Sequence, residues 1–132
     1  MSEQLQVCKA LAAMIRGHGD PTEEEVSFVA HSAFELALTP EQNEAVQKVL
    51  KEGGDYDEAI KGISSKAMRT YLFRRVVAAT LMDEKIEDDE MAVINRTAEA
   101  FGFDAAAVKD YLAWMGEGIA WEKRGAELTA RL

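Results

Sequence analysis

The chain has 132 residues, of which 48% are hydrophobic, and its 24 acidic and 15 basic side chains give a formal net charge of −9. This length predicts one domain with a core of its own, and the negative field disfavours nucleic acid while favouring cations or basic protein surfaces. No apolar run approaches the roughly 18–20 residues of a membrane span, and the start lacks a signal-peptide pattern, so we expect a cytoplasmic protein without stable membrane insertion.

Helix-start signals divide the first part of the chain. Both prolines, at positions 21 and 40, fall where a first helical turn tolerates them. Thr22 with Glu25 and Thr39 with Gln42 have the capping-box spacing, in which the two side chains satisfy free backbone donors. These signals predict helices over 3–16, 23–37 and 40–52.

The remaining chain also has helical periodicity, and no run alternates as a β-strand would. Asp104 is a suitable cap, Gly102 a suitable helix end, and Gly116-Glu117-Gly118 predicts a break before a C-terminal tail helix. The predicted helices are 55–64, 66–82, 88–101, 105–116 and 119–132. We therefore predict an all-α fold, a compact bundle of seven to eight helices forming a single domain over 1–132.

Four side chains in these helices have specific predicted roles. Cys8 lies among apolar residues and is expected to be a small buried hydrophobe, since a lone cysteine cannot form an internal disulfide. The apolar last turns of the helix over 66–82 predict a central position, and Arg75 falls inside its apolar sector, so we expect its stem to follow the core with its head reaching an acid. Trp114 and Trp121 are expected to pack the tail onto the bundle; exposed, they would instead indicate a partner surface.

A repeat is visible at an offset of 65 residues. In this register Ala13 corresponds to Ala78, Glu25 to Glu90, Val29 to Ile94 and Ala33 to Ala98. The shared loop length and the glutamate at the same helix position predict two diverged helix–loop–helix units related by an approximate two-fold axis.

The two inter-helix loops are the acidic parts of the chain. They are HGDPTEEE over 18–25 and DEKIEDDE over 83–90. Acids in the first turn of a helix interact favourably with its dipole, which accounts for Glu23, Glu24, Asp88 and Asp89 without any ligand. Asp83 lies at the end of the preceding helix, where the dipole disfavours a carboxylate, so it is the most informative acid.

If the two units face each other, the acidic loops could share one cleft. Converging carboxylates repel one another unless a proton or a cation neutralises them. Oxygen ligands suit Ca²⁺ or Mg²⁺, and a histidine shifts the preference towards Zn²⁺. The spacing does not fit an EF-hand, because the sixth position from Asp83 is not glycine and the twelfth is Ile94. The candidate metal ligands are Asp83, Glu87 and Glu90 in the second loop and His18, Asp20 and Glu25 in the first.

The second loop resembles a known family signature. Asp83-Glu84-Lys85-Ile86-Glu87-Asp88-Asp89-Glu90 is similar to the Asp-Gly-x-hydrophobic-x-x-x-Glu motif of the tellurite-resistance TerB family, whose relatives include a domain of certain membrane-anchored DnaJ-like chaperones. The apolar VVAATLM before it and MAVINRTAEAFGF after it are also similar, and the resemblance covers about residues 5–115. Glu84 stands where the family has glycine. His18 stands where the first copy would have aspartate, with Asp20 two residues further on.

The resemblance implies an all-α fold of two related units. It also implies a metal-binding acidic surface, at Asp83 and Glu90 in one unit and His18 and Glu25 in the other, used in stress responses to tellurite and other toxic agents.

Three functional hypotheses follow from the sequence. The first is a non-enzymatic, TerB-like stress-response module that binds a divalent metal ion (Ca²⁺, Mg²⁺ or Zn²⁺) and presents its acidic face to protein partners. The second is a metal-free helical protein-interaction domain, whose acids serve capping and charge complementarity. The third, an enzyme using the carboxylates as acid and base, is the weakest, because no nucleophile or substrate-positioning motif accompanies them.

Overall fold

All regular structure in the part of the chain that the computed structural model describes, residues 2–82 and 87–132, is α-helical. The helices are α1 (Glu3–Arg16), α2 (Glu23–Glu35), α3 (Pro40–Glu52), α4 (Tyr56–Ile60), α5 (Lys66–Leu81), α6 (Asp88–Phe101) and α7 (Ala105–Ala130). The predicted all-α fold with about seven helices is confirmed. The chain divides into two compact units, Met1–Ala79 and Thr80–Leu132. The single domain and the two-fold axis stay predictions.

The predicted starts of α2, α3 and α7 are confirmed, and each of these three rests on local side-chain chemistry. The Thr22 hydroxyl accepts the Glu25 N–H at 3.1 Å, and the Thr39 hydroxyl accepts the Gln42 N–H at 3.2 Å. At the start of α7, the Asp104 carboxylate accepts the Ala107 N–H at 3.0 Å. Such a bond satisfies one of the amide donors that a helix start leaves without an internal partner.

The first unit packs around α1. Nine of its fourteen residues are buried, and it contacts α2, α3 and α4. The apolar last turns of the helix over 66–82 predict the central position for that helix. Val76 and Val77 in α5 are indeed buried, but Ala78 and Ala79 in its last turns are only partly buried. The more complete burial of α1 makes it the central helix of this unit.

The N-terminus of α5 is capped from another helix. The Glu3 carboxylate of α1 accepts the backbone N–H groups of Ser64 and Ser65 at 2.6 and 2.8 Å. These two hydrogen bonds lower the pKa of Glu3, and the bond from Ser65 has the larger effect. A carboxylate thus lies at the positive end of the α5 dipole, although it comes from a residue about sixty positions earlier.

In the second unit, α6 ends at Gly102, whose φ of 70° is in the left-handed region that glycine adopts at low cost. The Phe103 N–H donates to the Ala98 carbonyl at 2.9 Å, and the Phe101 and Phe103 rings meet edge to face at 5.8 Å. The buried side chains of α6 are Ile94, Thr97, Ala98 and Phe101.

The 65-residue offset matches the helix boundaries as well as the sequence. α2 and α6 begin at 23 and 88, and α3 and α7 begin at 40 and 105. Buried positions also correspond, including the polar pair Ser32 and Thr97. The repeat therefore extends beyond the two acidic loops and the helices α2 and α6, and it includes the starts of the next helices, α3 and α7.

Three predicted boundaries are wrong. α2 ends at Glu35, because Ala37 takes a left-handed φ of 55° that stops the helix, and α4 ends at Ile60 rather than 64. α7 runs without a break through Gly116-Glu117-Gly118, so residues 119–130 continue α7 and do not form a separate tail helix. Glycine weakens a helix by about 1 kcal/mol relative to alanine, and the good helix formers around these two glycines outweigh that cost.

Candidate functional site

The second acidic loop is described from Glu87 onwards. Asp83, the most informative acid of the sequence analysis, lies outside the described residues. The Glu87 N–H donates to Glu90 Oε1 at 3.0 Å, which places Glu90 in the third position of a capping box at the start of α6. Glu87 itself is the exposed residue that precedes the helix.

The first acidic loop repeats this arrangement. Glu25 Oε1 accepts the Thr22 N–H at 2.9 Å, and Glu25 also lies third in its helix. The duplicated glutamates Glu25 and Glu90 thus share one structural role: each accepts a hydrogen bond from the backbone N–H of the residue that precedes its helix. A carboxylate has two oxygens, so the capping bond uses only part of its capacity as an acceptor.

The remaining candidate ligands of the first loop lie near the surface. Asp20 is 96% exposed and its carboxylate lies 3.7 Å from the Arg16 guanidinium, one turn back. The His18 N–H donates to the Ile15 carbonyl at 3.2 Å as the chain leaves α1. Gly19 follows with a φ of 122°, a conformation that side-chain-bearing residues rarely adopt, and it turns the chain towards α2.

Over residues 2–82 and 87–132, no group of three or more His, Cys, Asp or Glu side chains lies close enough together to hold a metal ion. The described members of the predicted ligand set are thus not brought together as a cluster. Asp83 is not part of this comparison, and the metal ion stays a prediction.

A polar contact between α2 and α5 is missed by the sequence analysis. The Arg75 guanidinium donates from Nε to the Ser32 hydroxyl and from a terminal nitrogen to the Phe28 carbonyl, both at 2.7 Å. It also lies 3.6 Å from the centroid of the Phe28 ring, a cation–π distance. Arg75 was expected to reach an acid, and its described partners are a hydroxyl, a carbonyl and a ring. The sequence feature that indicates such a contact is Ser32, a polar residue within the buried stripe of α2.

Next to this contact, Tyr71 connects α5 to the end of α2. Its hydroxyl donates to Glu35 Oε1 at 2.7 Å, and His31 Nε2 lies 3.7 Å from the same oxygen. The Tyr71 hydrogen bond is the main cause that lowers the pKa of Glu35. Partial burial is the main cause that raises the pKa of Tyr71. Both pKa shifts favour the pair seen here, in which an ionised Glu35 carboxylate accepts a hydrogen bond from the neutral Tyr71 hydroxyl.

Cys8 is fully buried in α1, as predicted. Burial raises the pKa of its thiol to about 12, against a smaller opposing effect of Arg75. Because the thiolate is the reactive form, this side chain serves packing.

Several aromatic side chains lie exposed on helix faces. Phe34 at the end of α2 is 84% exposed, and Trp114 and Trp121 on α7 are 61% and 76% exposed. The expectation that the two tryptophans pack a tail onto the bundle is wrong, because the continuous α7 carries them on its surface. A contiguous exposed apolar patch is typical of a surface that binds a partner, and Trp114 and Trp121 lie on one face of the same helix.

Comparison of the chain with protein-family models, curated proteins and solved structures found no match. Within the described ranges, no helix is both long enough and apolar enough to cross a membrane.

Proposed function

We propose that this chain is a helical protein-interaction module whose acidic loops form without a metal ion. The observation that carries the proposal is the shared role of Glu25 and Glu90, each of which accepts the backbone N–H of the residue before its helix. Capping accounts for the duplicated glutamate in both copies, and it leaves the neighbouring first-turn acids to act on partners.

Charge supports this role. The chain carries a net charge of −9, and Glu23, Glu24, Asp88 and Asp89 are all exposed in the first turns of α2 and α6. Exposed acids attract a basic protein surface, accelerate the encounter and select against acidic partners. The exposed aromatic side chains of α2 and α7 add apolar area, which charge alone does not supply. No catalytic role is part of this proposal.

The proposal can be tested by immobilising the protein and capturing its partners from a cell lysate. We expect basic proteins to be captured at low salt and released at about 0.5 M salt, where exposed charges are screened. The capture should be the same with and without a chelator of divalent metal ions. It should be lost when Glu23 and Glu24 become Gln and Asp88 and Asp89 become Asn.

The matched control removes the same number of charges elsewhere. Its four changes, all to Gln, are at exposed acids outside the loops, namely Glu41, Glu44, Glu99 and Glu127. The control variant should retain capture. Equal loss in both variants would mean that only net charge matters, and capture that depends on added metal would contradict the proposal.

The sequence favours a second candidate, a TerB-like stress-response module that binds a divalent cation. Its support is the density of acids over 83–90, six in eight residues, and the similarity of that loop to the TerB signature. The proposed ligands are Asp83, Glu87 and Glu90 in the second acidic loop, and His18, Asp20 and Glu25 in the first. Calorimetric titration with Ca²⁺, Mg²⁺ and Zn²⁺ tests this candidate, which requires a binding heat that the Asp83→Asn, Glu90→Gln double variant lacks.

A further inference from the structure

One face of α7 carries large apolar residues and glycines at alternating spacings of three and four. This row, called here the α7 seam, consists of Tyr111, Trp114, Gly118, Trp121, Gly125 and Leu128. Alternating steps of three and four residues are the pattern of a coiled-coil seam, which keeps one side of a helix towards a partner helix. Both tryptophans are mostly exposed and Leu128 is 47% exposed, so the seam is accessible from Trp114 onwards. Tyr111 at its start is half-buried, and its ring contacts that of Trp114 at 5.7 Å.

The seam has a recess at its centre. Trp114 and Trp121 lie on either side of Gly118 and, with Met115, Ile119 and Glu122, line a depression of about 310 Å³. A Cβ added at Gly118 or Gly125 would meet no atom of the described chain within 4 Å. Glycine is among the least favourable residues inside a helix, and nothing in the described chain requires it here. Gly118 and Gly125 leave room for a partner helix to approach the α7 backbone closely on this face.

We propose that two copies of this chain associate through their α7 seams as an antiparallel helix pair. In one register, Trp121 of each copy lies over Gly118 of the other and fills the recess. The same register places Trp114 over Gly125 and Tyr111 over Leu128. The four central layers then combine a tryptophan with a glycine, the large-with-small complementarity that close packing requires.

The charges beside the seam support the same register independently. Asp110, Glu117, Arg124 and Arg131 follow one another at intervals of seven residues along one flank of the seam. In the antiparallel register, Glu117 lies opposite Arg124 of the second copy, and Asp110 lies opposite Arg131. All four pairs across this flank have opposite charge, which is how flanking positions select a partner and its direction.

A parallel pair would lack both features. It would place Gly118 against Gly118, leaving a gap, and Glu117 near Glu122, a pair of like charge. The two flanks together carry three acids and two bases and are not basic, which favours a second copy over an anionic lipid surface. The exposed parts of the two rings amount to roughly 300 Å² per copy. For the pair this is about half of the smallest area that stable interfaces bury, and the rest of the seam adds to it.

Both tryptophans of the chain lie in the seam, so tryptophan fluorescence reports on this face alone. We expect the emission to shift to shorter wavelength as concentration rises from about 1 to 100 μM, the range of a moderate dimer. Sedimentation equilibrium on the same samples should show the mass doubling over the same range. A chain that stays monomeric throughout overturns the inference.

Two glycine variants separate association from folding. Gly118→Leu fills the recess that Trp121 needs, and we expect it to weaken association at least tenfold. Its helix should be no less stable, since leucine favours helix over glycine. Gly116→Leu is the matched control, because Gly116 also has open space around it but points away from the seam. The control should associate like the original chain, and equal association of both variants would exclude the seam.

Exchange of the charges at positions 117 and 124 tests whether the two α7 helices pair in the antiparallel or the parallel direction. Glu117→Arg alone and Arg124→Glu alone should each weaken an antiparallel pair, and the double exchange should restore it. In a parallel pair, Glu117→Arg would instead strengthen association by facing Glu122. That result, or binding to anionic vesicles by a chain that stays monomeric, would overturn the inference. The inference goes beyond the proposed function, since it concerns the α7 seam and not the acidic loops, and a monomeric chain that still captures basic proteins would leave the proposed function standing.

Discussion

Replacement of Arg75 by methionine should destabilise the first unit by about 3 kcal/mol. The change keeps an apolar stem and removes a charged head that makes two hydrogen bonds of 2.7 Å and lies over the Phe28 ring. A hydrogen bond from a charged group contributes roughly 1.5–3 kcal/mol, and a cation–π contact about 0.5–1 kcal/mol. Relief of the desolvation of the guanidinium offsets part of this loss.

Urea unfolding measures this effect, followed by far-UV circular dichroism and by the exposure of the Cys8 thiol, which is buried in the same unit. A loss of about 3 kcal/mol corresponds to a fall in Tm of roughly 10 °C for a chain of this size. Arg74→Met is the matched control, because Arg74 is exposed and next in sequence, and it should change stability by less than about 0.5 kcal/mol. If the two variants lose the same stability, the Arg75 contact does not hold α5 against α2.

Three further predictions concern single residues. Thr39→Ala should cost about 1 kcal/mol in urea unfolding by removing the α3 cap, and no measurable loss would contradict the capping geometry. Cys8, with a thiol pKa of about 12, should not react with an aromatic disulfide reagent at pH 8 until urea unfolds the chain, and rapid reaction in native buffer would show that it is accessible. Because the folded-state pKa of Glu3 lies below its ordinary value of 4.5, its stabilising effect is present above that pH and is lost as pH falls through the lowered pKa. The Tm difference between the original chain and Glu3→Gln should therefore close as the solution is acidified from neutral pH, and a constant difference would exclude the role of its charge.

The features that the sequence predicts correctly are those set by neighbouring residues. Thr22, Thr39 and Asp104 each bond to a backbone amide three residues ahead, so spacing alone identifies the helix start. Gly102 likewise ends α6 through its own conformation.

The features that the sequence analysis misses depend on distant residues or on small differences in free energy. Arg75 finds its partners about forty-five positions away in α2, and no local pattern specifies which partner it meets. The glycines at 116 and 118 suggest a break, but the cost of glycine inside a helix is only about 1 kcal/mol, and the flanking residues outweigh it. The acidic clusters were visible in the sequence, whereas the shared capping role of Glu25 and Glu90 required coordinates.

Thermal unfolding of the Glu25→Gln, Glu90→Gln double variant tests whether these two glutamates serve as helix caps without a metal ion. Glutamine keeps the capping bond, as Gln42 does in α3, where its side-chain oxygen accepts the Thr39 N–H at 2.9 Å. The substitution therefore removes two charges that a metal ion would need while preserving the caps. We predict that the variant and the original chain have similar Tm values, and that neither changes on addition of Ca²⁺, Mg²⁺, Zn²⁺ or a chelator. A metal-dependent rise in the Tm of the original chain that the variant lacks would show that these glutamates bind a metal ion.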